Sequence, residues 1–84
     1  MDKKAKIEAD LKVAFEKAAD KETASSESGI VAAEASEAVR LAILKFRALL
    51  EEEGLRPEAA GVAAMREFSG RIQALREWRA SAGA

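Results

Sequence analysis

Histidine, cysteine and tyrosine do not occur in these 84 residues. Without them the chain lacks the commonest general base, the thiolate nucleophile and the phenol of enzyme sites. No disulfide can form, which fits a reducing compartment. A carboxylate-bridged di-metal centre of the helical-bundle type needs Glu-x-x-His pairs, and these cannot be built here. Proline occurs once and glycine five times, scattered, so no glycine-rich phosphate loop is present. Long apolar runs are also missing. Nothing approaches the roughly 20 consecutive apolar residues of a membrane span, and the opening MDKKAKIEADLK leads into no apolar stretch of the kind a signal peptide requires. No enzymatic activity, cofactor or membrane association is expected, and the location expected is cytoplasmic.

Charge of one sign is lacking as well. Fourteen lysines and arginines face fifteen aspartates and glutamates, a formal net charge of −1. Such a balance exerts no global pull on nucleic acid or anionic lipid. The hydrophobic fraction of 49% is dominated by alanine. A chain this short buries limited surface, so association is a natural remedy.

What is present favours helix. Alanine, glutamate, leucine, lysine and arginine dominate, and no alternating strand pattern occurs. The spacing predicts one all-α domain over 1–84, with helices at about 2–22, 29–53 and 57–80. In the first helix Ile7, Leu11, Ala14 and Ala18 recur at helical spacing beside Phe15; the stripe is thin, so this helix reads as weakly held. In the second, Val39, Ile43, Phe46 and Leu50 form one stripe, while Leu41, Leu44 and Ala48 lie further round. In the third, Met65, Phe68, Ile72 and Leu75 repeat at spacings of three and four. Gly54 suits a left-handed residue after a helix, and Pro57 a first helical turn. A turn is expected at 54–56 and a frayed tail at 81–84.

TASSESG, residues 23–29, poses the main ambiguity. Its hydroxyls compete for backbone hydrogen bonds, and Ser26 or Ser28 could cap a new helix. These features favour a polar break over 23–28. The heptad phase nevertheless survives the serines, as it would in one helix over 2–53. The fold expected is a helical hairpin or three-helix bundle completed by oligomerisation.

Few residues suggest chemistry. Glu34 with Glu37, and the run Glu51–Glu53, read as solvated helix faces. Thr23 and the serines 25, 26 and 28 read as a linker and cap rather than a nucleophile, since only Lys21 lies near. The excess apolar girth of the second helix is more informative. Leu41, Leu44, Ala48, Met65, Phe68 and Trp78 form the expected protein interface, with a two-fold dimer favoured, the bundle completed around Leu41, Leu44, Met65 and Phe68, and a further protein as partner. The expected function is that of a small non-enzymatic helical interaction protein: an adaptor, scaffold or regulatory subunit. The alternative is a nucleic-acid-binding regulator. Arg66, Arg71, Arg76 and Arg79 are the third helix's only cations, and Arg56 precedes them; these five are the candidate contacts for nucleic acid or an acidic partner.

Overall fold

Asp2 opens the first helix: its Oδ1 accepts a hydrogen bond from the backbone N–H of Ala5 at 2.7 Å, satisfying one of the donors left open at a helix start. In the computed structural model, which describes residues 2–82, the chain forms α1 (Lys3–Ala24), α2 (Gly29–Glu51) and α3 (Pro57–Ala82), and no strand occurs among the described residues. The all-α expectation and the three-helix bundle agree with this architecture.

The chain reverses at Ser25–Ser28, so residues 2–53 are not one helix. The break is shorter than the sequence suggests. Thr23 Oγ1 donates to the Ala19 carbonyl at 3.0 Å and Ser25 Oγ to that of Lys21 at 3.1 Å. These hydroxyls fold back on their own helix and let α1 continue to Ala24. Ser28 then caps α2, its Oγ accepting from the Ile30 N–H at 3.2 Å. No capping-box glutamate is needed.

At the second turn Gly54 has φ +66°, the left-handed conformation glycine adopts most easily. The Leu55 N–H returns to the Leu49 carbonyl at 3.0 Å, and Pro57 starts α3. α2 ends at Glu51, two residues short of expectation. α3 runs through residues 81 and 82, where a frayed tail was expected. The Ser81 hydroxyl bonds back to the Glu77 carbonyl there. Residues 83 and 84 of that expected tail lie outside the described residues.

Ion pairs give the direction of each helix. Lys3 meets Glu58, so α1 and α3 start together; Glu8 meets Arg47, so α2 runs antiparallel to α1. The Cα envelope measures 44 × 22 × 14 Å. A slab this thin leaves room for one shell of interior side chains, and small residues fill much of it. Ala35, Ala38, Ala42, Ala60 and Ala64 are buried, and a Cβ on Gly61 would stand 3.3 Å from Ile7 Cγ2. Large side chains occupy the gaps. The Phe15 and Phe68 rings stack at 4.4 Å between centroids with 20° between planes. Phe46 is fully enclosed in the same cluster with Leu11, Ile43 and Ile72. A second cluster of Ala19, Val31, Ala35 and Leu75 closes the end near the serine turn.

Though its apolar stripe is thin, α1 packs against both neighbours. Leu11, Phe15 and Ala19 are buried against the other helices, and charged residues at three levels tie α1 to its neighbours.

Truncating Phe46 to alanine should open a cavity at the centre and cost about 3–5 kcal/mol. That is a large part of the roughly 5–15 kcal/mol typical of a small domain. A urea titration followed by circular dichroism reads the loss as a lower midpoint at similar slope. A midpoint close to the parent's would show that Phe46 is not the packed centre of this bundle.

Candidate functional site

The six residues expected at an interface do not form one patch. Phe68 is buried in the core against Phe15 and cannot contribute to a surface, which corrects its assignment. Three residues earlier on α3, Met65 is rotated toward α1 and is 54% exposed. It borders an apolar depression between α1 and α3 with Ile7, Leu11, Ala14 and Phe15. Leu44, 44% exposed, lies in another depression beside Val39 and Ile43. Leu41 and Ala48 are half-buried on α2. A single cluster of Leu41, Leu44, Met65 and Phe68 is therefore absent, because α1 packs between the Leu44 and Met65 depressions.

Trp78 does lie at a surface, and it has a neighbour that sequence reasoning missed. Ile30 is 57% exposed in the first turn of α2, and Trp78, 43% exposed, stands near the end of α3. Both border a groove of about 380 Å³ between the two helices. Ala38, Ala74 and Leu75 supply its remaining apolar lining, Glu34 and Glu37 stand on the α2 wall, and Arg71 stands on the α3 wall. The antiparallel course of α2 and α3 brings residues 30 and 78 to the same end. Ile30 carried one signal: a large β-branched residue immediately after a capping serine and glycine. Its pairing with Trp78 could not be read locally.

The arginines proposed for an acidic ligand are largely engaged within the chain. Arg71 pairs with Glu67 at 3.0 Å. Arg76 donates through Nε and Nη2 to Glu22 Oε2 at 3.1 and 2.9 Å. Arg79 reaches Glu22 Oε1 at 3.3 Å and the Ser25 carbonyl at 2.9 Å. Among the described residues no ion pair involves Arg56 or Arg66, both of which are exposed.

Glu22 is the buried charge of the fold, 5% exposed. It was missed although it continues the stripe Leu11, Phe15, Ala19 by one further step of three. The hydrogen bonds from Arg76 hold its carboxyl below the ordinary value of 4.5; burial opposes them, and the charges of Arg76, Arg79 and Lys21 assist. Glu8 is lowered by its hydrogen bond from Arg47 and Glu58 by that from Lys3, at more exposed positions. Every buried side-chain nitrogen and oxygen among the described residues has a partner.

No group of three or more potential ligands among the described residues is placed to hold a metal ion. No helix among them is long and apolar enough to cross a membrane. Compared with protein-family models, curated proteins and solved structures, the chain matches none of them.

A carboxyl whose pKa is depressed by folding stabilises the protein above its unfolded pKa, and that contribution disappears as pH falls through the folded value. The bundle should hold a constant Glu22 contribution near neutrality and lose it progressively below about pH 4.5. Glu22→Gln should lose about 1–3 kcal/mol at pH 7 and show a flatter acid limb in denaturation measured from pH 7 to 3. An acid limb as steep as the parent's would remove Glu22 from this role. Leu44→Glu, by contrast, places a carboxylate in a depression bordered by Lys12, Arg40 and Arg47. It should change stability by no more than about 0.5 kcal/mol, and an unfolded variant would contradict the exposure of this site.

Proposed function

We propose that this chain is a non-enzymatic helical interaction module: it self-associates and presents a face of its bundle to protein partners. The observation that carries this reading is the shared groove of Ile30 and Trp78. Ile30 and Trp78 border one concave site together instead of being scattered singly, and contiguous exposed apolar surface commonly marks a contact with another chain. Tryptophan and arginine are the side chains most often found at the energetic centres of protein interfaces, and Arg71 stands on the wall of this groove. α2 and α3 supply opposite walls on regular helices, so the face needs no reordering before contact. Adaptor, scaffold and regulatory subunit all fit this reading.

The single tryptophan and the absence of tyrosine make the test direct. Sedimentation of the full chain across micromolar concentrations should show a dimer or larger species. Trp78 emission should move to shorter wavelength over the same range as the indole leaves water. A chain that stays monomeric and folded, with unchanged emission, at several hundred micromolar would defeat the self-association reading.

A further inference from the structure

We propose that the occupant of the α2–α3 groove is the same groove on a second copy of this chain, related by a two-fold axis parallel to the helices. The inference rests on the self-association reading above and adds its surface, partner and geometry.

The argument is one of complementarity within a single face. Along the groove, Ile30 of α2 stands at the same end as Trp78 of α3. Toward the other end, Glu34 and Glu37 on the α2 wall accompany Arg71 on the α3 wall. An axis lying in the interface and parallel to the helices sets the α2 wall of one chain against the α3 wall of its partner, with like ends together. Trp78 then meets the partner's Ile30, and Arg71 meets the partner's Glu34, the groove acid left without an ion pair among the described residues, since Glu37 is held by Arg40 on its own helix. Both contacts occur twice, as a two-fold interface requires. An axis perpendicular to the helices fails. It would set α2 against the partner's α2 in opposite directions and bring Ile30 against the partner's acidic residues. A strongly acidic partner would be repelled by Glu34 and a strongly basic one by Arg71, whereas a second copy sets these two residues against each other.

Glu34 is exposed and has no ion pair within the chain among the described residues, so reversing it spares the monomer. Arg71 is exposed and pairs only along its own helix with Glu67. Glu34→Lys alone and Arg71→Glu alone should each weaken self-association by roughly tenfold or more, through like-charge contact with the partner. Mixing the two variants in equal amounts should restore association as a mixed dimer, readable by native mass spectrometry. Circular dichroism would confirm that each variant keeps its helix content. Ile30→Ser, placed in an exposed first turn, provides an uncharged second probe and should also weaken association.

A parent that associates while the mixed variants pair no better than each alone would overturn the groove and its axis. It would leave self-association through another face. An Ile30→Ser variant that associates as the parent does would overturn the proposal in the same way. A parent that remains monomeric would overturn both this inference and the reading beneath it.

Discussion

The close approach of three helices across small residues is the constraint on which the rest of this structure depends. With Ala35, Ala38, Ala42, Ala60, Gly61 and Ala64 turned inward, the helix axes draw together and the interior becomes narrow. A narrow interior admits few large side chains. Phe15, Phe46 and Phe68 share that room with Leu11, Val31, Ile43, Ile72 and Leu75, and Phe15 stacked on Phe68 spans the gap between α1 and α3. Each alanine gives up the greater burial energy of a larger side chain but costs little side-chain entropy on ordering. Other large apolar residues are left outside. Val13, Ile30, Leu44, Val62, Met65 and Trp78 are accordingly exposed. The surplus surface thus originates in the packing itself.

Charge compensates where apolar surface is thin. α1 carries the narrowest stripe, and it supplies a partner to each interhelical ion pair seen among the described residues. The exposed pairs Lys3–Glu58 and Glu8–Arg47 add little energy, since water and salt screen them, but they favour one register of α1 against its neighbours. Glu22 differs because its carboxylate is buried and receives three N–H donors from two arginines. Removing it would leave Arg76 and Arg79 facing one another at the end of the bundle. Specificity of helix register is the best-attested use of such a buried charged group.

Much of the fold was legible in the sequence because its determinants are local. Gly54 and Pro57 mark the second turn through their own backbone preferences, and Ser28 marks the start of α2 through its own hydroxyl. Phases of three and four picked out Leu11, Phe46, Ile72 and Leu75 as inward-facing stripe residues, whereas Phe68 was assigned to an interface. The candidate site was less legible because it depends on relations between helices. Phe68 and Met65 belong to one apolar stripe in sequence, about 60° apart around the helix, and which of the two faces inward depends on where the neighbouring helices lie. Phe68 therefore turned inward while Met65 stayed at the edge. The arginines of α3 looked like a free basic face because Glu22, 54 residues before Arg76, gave no local sign of pairing with it. The same long-range blindness hid the groove that Ile30 and Trp78 share.

These features converge at one end of the bundle. Arg76 and Arg79 flank Trp78 in sequence, and Glu22 fixes both from the α1 side. Their grip anchors the last turns of α3 while the indole emerges toward α2 and Ile30. Arg79 also holds the Ser25 carbonyl, in the same turn whose Ser28 caps the helix that carries Ile30. A single buried carboxylate and its two arginines thereby connect the serine turn, the start of α2 and the end of α3. Preorganisation of this kind would lower the ordering cost of the proposed association, because the two apolar side chains are positioned in advance. The charge buried in Glu22 and the apolar surface left outside at Trp78 are two consequences of the same helix end. One anchors the backbone there, and the other is presented by it.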